Sequence, residues 1–206
     1  MTTLDPRALG LRIQPEPLLE QLNALAAIGM TPEGACCRLA LSEEDRLGRD
    51  LLITWMKALK LEVSVDPIGN IFGWRAGLED LPPVMTGSHI DTVRTGGRYD
   101  GPLGVLGGLE VVRALNEAGI VTRRPIVVAA FTNEEGARFH PDMLGSLVYV
   151  GGLSLDDAYA SHSADGKVLI DELTKIGYVG EAALPLCKPH AFVELHIEQG
   201  PILDIE

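Results

Sequence analysis

The chain begins with two stretches in which apolar residues recur at helical spacing. Leucines and alanines three or four residues apart predict a helix over residues 15–28, which Gly29 and Pro32 end. Ser42, followed by three acidic residues, is an N-cap with an acidic first turn, and one apolar face continues from there to Lys60. The pattern therefore predicts two helices ahead of the first strand.

Further along, extended segments alternate with helical ones. A run with period-two alternation, a turn and a second extended run predict a hairpin, and a later continuous apolar run is typical of a strand covered on both faces. The predicted strands are residues 61–65, 71–74, 84–88, 125–131 and 191–195. The predicted later helices are residues 102–118 and 165–177. This alternation predicts an α/β fold with a mixed, mostly parallel central sheet flanked by helices.

Composition narrows the class of protein. The 206 residues suit one domain or one and a half, and 46 % hydrophobic with 22 % charged residues is typical of a globular protein. Lys and Arg number 17 against 29 Asp and Glu, so the formal net charge is −12 and offers no basic surface to nucleic acid or to an anionic membrane. We therefore expect a small-molecule partner, with neither nucleic acid nor membrane.

Two further observations bear on location. Three cysteines are too few for a disulfide scaffold, and Cys36 and Cys37 are adjacent. The first residues lack the basic and apolar regions of a signal peptide, and no uncharged apolar run reaches the roughly 18 residues that span a bilayer. The sequence predicts a cytoplasmic protein.

Side chains that can bind metals follow three of the predicted strands. They are His89 and Asp91 after the third strand, Glu134 and Glu135 after the fourth, and His196 after the fifth. Because sites in open α/β sheets form at the carboxyl ends of strands, we expect these side chains to converge. Asp100, at the start of the long helix, is a further candidate. Two histidines with several carboxylates suit divalent zinc, manganese or cobalt.

Each candidate has an ordinary structural alternative. A single His after a strand is more often a hydrogen-bonded structural residue, Asp100 could cap the helix that follows it, and the two glutamates could complete a helix dipole. Glycines that recur three or four residues apart in the helix favour close packing on the sheet, because their spacing does not fit a phosphate-binding loop. They are Gly101, Gly104, Gly107 and Gly108. The coincidence of ligand types at three strand ends favours the metal hypothesis.

Chemistry suggests how these groups would divide the work. His89 and Asp91 share a face in an extended segment, so the Asp91 carboxylate is expected to accept a hydrogen bond from the ring nitrogen that does not bind metal. Asp100 has two oxygens and can bridge two cations. Glu134 and Glu135 point in different directions, so one can bind metal while the other acts as a base. Two cations about 3.5–4 Å apart would polarise a carbonyl and lower the pKa of a bridging water, which that base deprotonates.

Four motifs in this order resemble those of the metal-dependent amidohydrolases, a family that includes N-carbamoyl-L-amino acid hydrolases, β-ureidopropionases and allantoate amidohydrolases. The family is related to the co-catalytic zinc aminopeptidases and carboxypeptidases. The motifs are GSHIDTV from Gly87, GGRYDG from Gly96, FTNEEGARF from Phe131 and HIEQGP from His196. The similarity also extends upstream through residues 38–42 and 66–73, so it covers nearly the whole chain.

The resemblance implies two divalent metal ions, zinc first, with manganese, cobalt or nickel as alternatives. By resemblance, His89 and His196 bind one ion, Glu135 binds the second, and Asp100 bridges both. Glu134 would be the general base. A cis peptide between Asp100 and Gly101 is also implied.

The implied reaction is hydrolysis of a linear amide C–N bond in an N-carbamoyl-L-amino acid or a ureido substrate such as allantoate, releasing ammonia and carbon dioxide. Asp91 would support catalysis behind His89, and Gln199 would contact the substrate. A dipeptidase or aminopeptidase is the alternative with the same chemistry.

Relatives are about twice as long by the same resemblance, and they form homodimers through a lid domain. We therefore expect residues 1–206 to be the N-terminal portion of an incomplete, zinc-peptidase-like catalytic domain, without the lid or the C-terminal return segment. The last His ligand of the second metal and the lid groups that hold the substrate carboxylate would also be missing. Two interpretations stay open, a piece of a full enzyme and a truncation without activity that serves as a binding module.

Overall fold

The structure, a computed structural model, describes residues 10–198 and 202–205. Its helices are α1 (Pro15–Ala27), α2 (Glu43–Ala58), α3 (Pro102–Glu117), α4 (Leu144–Tyr149), α5 (Leu155–Tyr159), α6 (Leu169–Lys175) and α7 (Ile202–Ile205). Its strands are β1 (Glu62–Val65), β2 (Ile71–Arg75), β3 (Val84–His89), β4 (Ile126–Phe131) and β5 (Ala191–Val193).

The strands form one mixed sheet in the order β1-β2-β4-β3-β5. β3 runs parallel to both β4 and β5, whereas β2 pairs antiparallel with β1 and β4. Helix α3 packs on β3 and β4, and α1 packs on α3. The predicted α/β fold with a mixed sheet and flanking helices is confirmed, with parallel and antiparallel pairings present side by side.

The predicted helix starts follow from local chemistry. Ser42 Oγ accepts a hydrogen bond of 3.2 Å from the Asp45 amide and so caps α2. The helix predicted over residues 165–177 begins only at Leu169, because Ser163 and Lys167 close a turn through Gly166, whose φ is +77°. The short helices α4 and α5 were not predicted, since five or six residues are too few to show a helical period.

The core lies on both faces of the sheet, and β4 shows this most directly. Val128 and Ala130 belong to the main cluster, between the sheet and helices α1, α2 and α3. Val127 and Ala129 belong to a smaller cluster with Phe72 and Tyr149 on the opposite face. This agrees with the expectation of a strand covered on both sides. Among the described residues, no helix is long and apolar enough to cross a membrane.

Helix α3 approaches β3 closely, which brings the start of α3 to the end of the strand. A Cβ at Gly104 would lie 2.8 Å from Cβ of Ser88, and one at Gly108 would lie 2.9 Å from Cγ2 of Thr86. Both distances are too short for real side chains, so glycine is required at this interface. The predicted packing of the glycine stripe on the sheet is therefore confirmed at these two positions.

Candidate metal centre

Two histidines meet at the carboxyl ends of neighbouring parallel strands. The β3–β5 register pairs Val84 with Ala191 and Thr86 with Val193. Continued by three residues, the same register places His196 opposite His89. The two rings are stacked, with centroids 5.9 Å apart and planes at 29°.

Asp100 completes a group of three. Its carboxylate Oδ1 lies 3.4 Å from Nε2 of His196. One ligand atom from each of His89, Asp100 and His196 falls within 4.8 Å of the others, a spacing that could hold a metal ion. Glu135 is not part of this three-residue group in the portion of the chain that the structure describes.

The His89 ring is buried and has one nitrogen available. Nδ1 lies 2.9 Å from the backbone carbonyl oxygen of Asp91, which can only accept, so Nδ1 carries the proton and Nε2 presents its lone pair. Nε2 is buried and has no hydrogen-bond partner within the described residues. The Glu134 carboxylate is 3.3 Å away without hydrogen-bond geometry. An unpartnered buried imidazole nitrogen fits a metal ligand.

The residue after Asp100 must be glycine because the His89 ring packs directly on its backbone. A Cβ at Gly101 would lie 2.5 Å from His89 Nε2, and the φ of Gly101 is +80°.

The cis peptide bond that the resemblance implied between Asp100 and Gly101 is wrong. In residues 10–198 and 202–205, the cis bonds precede Pro141 and Pro185.

The Asp91 carboxylate differs from its predicted arrangement. It lies 3.7 Å from Nδ1 of His89 and leaves that proton to its own backbone carbonyl. Instead it accepts hydrogen bonds from the amides of Glu134 and Glu135, at 3.2 and 3.3 Å. The expected partner was wrong because these two amides compete for the carboxylate oxygens. Burial is the main reason that the pKa of Asp91 rises to about 7, and these two hydrogen bonds oppose the rise.

The two glutamates lie at the rim of the site. Burial is the main reason that the pKa of both carboxyls is raised, and the nearby Asp91 carboxylate adds to the rise. Glu135 Oε1 is buried without a hydrogen-bond partner among the described residues, as a carboxylate oxygen kept for a cation would be. Glu134 is the closer of the two to the available nitrogen of His89.

His196 is the most exposed member of the group, with 37 % of its side chain accessible. Its Nδ1 bonds the backbone oxygen of Ile197 at 2.8 Å, which leaves Nε2 facing Asp100. That bond is the main cause of the raised pKa of His196, with a further contribution from Asp100. Gln199, predicted to contact substrate, lies outside the described residues.

The loop that carries the glutamates is held by Asn133, a residue that the sequence analysis did not select. Asn133 has a left-handed backbone, with φ of +52°, and is fully buried. Its side-chain amide donates to the carbonyl of Phe139 at 2.8 Å and accepts from the Phe139 amide at 3.3 Å. Asn tolerates this backbone region better than most residues, which was the one available signal.

Comparison with known protein families identifies the family to which the chain belongs. The sequence profile of peptidase family M20/M25/M40 matches residues 85–206. The chain belongs to this family. The predicted relationship to amidohydrolases and zinc peptidases is confirmed, and metal dependence is a property of the family.

Similar proteins of the M20 family carry amidohydrolase names. The chain is 46 % identical to an N-carbamoyl-L-amino-acid amidohydrolase of Rhizobium meliloti, over 95 % of this chain and 47 % of the relative. It is 35 % identical to a ureidoglycolate hydrolase of Arabidopsis thaliana, over 97 % of this chain and 44 % of the relative. The chain thus spans about half the length of the curated relatives it matches.

A solved structure agrees with these relatives. The crystal structure of a hydantoinase/carbamoylase family amidase from Burkholderia ambifaria superposes with a TM-score of 0.92 at 49 % identity, covering 95 % of this chain and 48 % of that chain. The fold described above is therefore shared with about half of that amidase chain.

Proposed function

We propose that this chain supplies the metal-binding and base-bearing part of a hydrolase that cleaves linear amide C–N bonds in N-carbamoyl-L-amino acids or ureido compounds. The observation that carries the proposal is the buried, unpartnered Nε2 of His89, close to ligand atoms of Asp100 and His196. The names of the relatives, N-carbamoyl-L-amino-acid amidohydrolase and ureidoglycolate hydrolase, support the substrate class.

Four side chains would hold two divalent ions. His89 and His196 would hold the first ion, Glu135 would hold the second, and Asp100 would contribute to both. Zinc is the first choice, and manganese, cobalt or nickel are alternatives, since imidazole and carboxylate ligands accept all four. When bound, such ions act as Lewis acids and lower the pKa of water.

Glu134 is the proposed base. Its carboxylate takes a proton from the attacking water as the oxygen bonds to the carbamoyl carbon. It then returns that proton to the substrate nitrogen as the C–N bond breaks. The products are the free amino acid and carbamic acid, which decomposes to ammonia and carbon dioxide. The place of Glu134 beside Nε2 of His89 supports this role, because a base must reach the reacting water.

A substrate contact by Gln199, a supporting role for Asp91 and a homodimer of the full-length form are also proposed, on the family resemblance. A cytoplasmic location is proposed because the chain has only three cysteines. Residues 1–206 would then be the N-terminal portion of the catalytic domain.

Ammonia release is the direct test, with the polypeptide that the gene encodes. N-Carbamoyl-L-amino acids, allantoate, ureidoglycolate and dipeptides are each supplied with zinc or manganese, and again after a chelator. Hydrolysis of dipeptides is followed by the release of free amino acids. We expect ammonia from a carbamoyl or ureido substrate only with metal, and at least a 100-fold lower kcat in Glu134→Gln with metal binding retained. Hydrolysis of dipeptides alone, or equal rates after metal removal, would contradict the proposal.

A further inference from the structure

The geometry points to Asn70 as a positioning residue for Glu134 and Glu135, an inference that rests on the function proposed above. Asn70 lies in the turn between β1 and β2, and it touches neither glutamate. It acts through Thr132, the first residue after β4 and the start of the loop that carries both carboxylates.

The Asn70 side chain joins three parts of the fold. Its Oδ1 accepts from the Thr132 amide at 2.9 Å, and its Nδ2 donates to Asp66 Oδ2 at 2.8 Å and to the Gly145 carbonyl at 3.0 Å. The residue is fully buried, so both amide hydrogens and the oxygen are used inside the protein. The hairpin turn, the end of β4 and the start of α4 therefore share one fixed point.

This contact lies where the sheet ends. The β2–β4 ladder closes with the pair Ile71 and Ala130. Beyond it, the Thr132 amide bonds the Asn70 side chain, so the direction in which the chain leaves the sheet depends on this side chain. A backbone amide that lost this partner in the interior would be left without a hydrogen bond, which is unfavourable.

A buried arginine on helix α2 also holds Thr132. Arg49 on α2 donates from Nη2 to Thr132 Oγ1 at 3.2 Å and from Nη1 to the Gly69 carbonyl at 2.7 Å. Its Nε pairs with the Asp45 carboxylate at 2.9 Å. Both charged groups are buried, so the ion pair between Arg49 and Asp45 has a rigid geometry. Thr132 is hydrogen-bonded to this rigid pair through Arg49.

The atoms around Asn70 are closely packed, with no free space for a side chain at Gly145. A Cβ at Gly145 would lie 2.3 Å from Asn70 Oδ1 and 2.5 Å from the Thr132 nitrogen. The Gly145 amide in turn donates to the Thr132 carbonyl at 2.8 Å. A shift at Asn70 would therefore be passed to Thr132 instead of being absorbed.

From Thr132 the loop is fixed up to the glutamates. The carbonyls of Asn133 and Glu134 accept from the amides of Leu144 and Met143, at 3.2 and 2.6 Å. The amides of Glu134 and Glu135 then bond Asp91, as described above. The segment is thus anchored behind by Asn70 and ahead by Asp91, and its two carboxylates have one placement relative to His89.

Three variants separate positioning from a general structural role. Asn70→Ala removes the Thr132 contact, whereas Asn70→Asp keeps an acceptor for the Thr132 amide and loses both donors. Tyr159→Phe is the matched control, because its hydroxyl bonds the Pro67 carbonyl in the same turn and leaves Thr132 untouched. Each protein is studied by amide hydrogen exchange without metal and by cobalt titration followed through its visible absorption.

In Asn70→Ala we expect exchange at the amides of Thr132, Glu134 and Glu135 to be at least tenfold faster than in the parent protein, with Leu22 in α1 unchanged. The cobalt step assigned to Glu135 should weaken at least tenfold, while the first step remains. Asn70→Asp should slow exchange at the Thr132 amide relative to Asn70→Ala without reaching the parent rate, because its second oxygen faces the acceptors of Asp66 and Gly145. Tyr159→Phe should lower only the melting temperature. Parent-like exchange and parent-like cobalt spectra in a folded Asn70→Ala would overturn the inference.

The two proposals can fail separately. If the parent protein binds no cobalt, the proposed metal function is wrong, and the exchange of the three amides still decides the role of Asn70. If Asn70→Ala does not fold, the parent protein decides it alone. Its Thr132 amide should then exchange as slowly as the amides of β4, and fast exchange there would refute the inference.

Discussion

Ser88 donates a hydrogen bond of 2.5 Å to Oε1 of Glu194, across the gap between β3 and the segment that follows β5. Ser88 precedes His89, and Glu194 comes two residues before His196. β5 itself has only three paired residues, all of them exposed. This contact therefore ties together the two segments that carry the histidines.

Removing that tie should weaken metal binding. In Ser88→Ala the Cβ that packs on Gly104 is kept, but the segment carrying His196 loses an anchor. Because Glu194 is exposed, we expect the free energy of zinc binding to weaken by only about 1 kcal/mol. This corresponds to roughly fivefold weaker zinc binding, measured by isothermal titration calorimetry. Ser161→Ala, which removes a hydrogen bond to the His140 carbonyl, is the control and should bind zinc as before. Equal affinity in both variants would contradict the prediction.

Divalent cations should stabilise the chain. Acidic groups that face one another without a cation repel, so an ion that binds only the folded state raises its stability. At about 100 times the dissociation constant this amounts to about 2.7 kcal/mol, or about 5–10 °C in melting temperature for a chain of this size.

The melting temperature is measured with zinc, manganese and a chelator. Asp100→Asn should lose most of the shift, whereas Asp156→Asn, at an exposed position away from the cluster, should keep it. A chain whose melting temperature ignores both metals would argue against a formed site.

Gly101 should not tolerate a side chain. Alanine there would combine the left-handed φ of +80° with a Cβ 2.5 Å from His89 Nε2. We expect Gly101→Ala to lower the free energy of unfolding by more than about 2 kcal/mol and to abolish zinc binding. Gly97→Ala is the matched control in the same loop, because nothing lies within 4 Å of its Cβ position. Urea unfolding would show the difference, and equal midpoints would refute the argument.

Asp66 should make stability depend on pH. Burial raises its pKa to about 6 from the ordinary 3.8, against four hydrogen bonds to the charged form. Between these values the folded state holds a proton that the unfolded state has released. The contribution of Asp66 is therefore complete below about pH 4 and is lost as the pH rises through about 6.

The sign can be measured by urea unfolding at pH 4.5 and 7.5. Relative to the parent protein, the free energy of unfolding of Asp66→Asn should become more favourable at the higher pH, by about 2 kcal/mol over this interval. Asp171→Asn, which changes an exposed acid, should show no such trend. The absence of such a change would show that Asp66 is ionised at both pH values.

The convergence of the two histidines could be predicted because it depends on sheet geometry. Parallel strands bring their carboxyl ends to one edge, and His89 and His196 each stand at or just beyond such an end. The long helices were predictable for the same kind of reason, since α2 and α3 show several turns of regular apolar spacing.

Contacts made by loops could not be predicted in this way. The competition that draws the Asp91 carboxylate to the glutamate amides depends on the path of residues 132–135. Asn70 and Thr132 are far apart in sequence, and no local pattern indicates that their polar atoms meet. Such hydrogen bonds are set by tertiary packing, which periodicity does not report.

The proton on Nδ1 of His89 is held by a main-chain oxygen, and every residue type supplies the same oxygen at position 91. The tautomer is thus insulated from mutation of that side chain. Substituting Asp91 disturbs the glutamate loop while the imidazole keeps its protonation pattern. Substitutions at position 91 can therefore change the glutamate loop separately from the His89 imidazole.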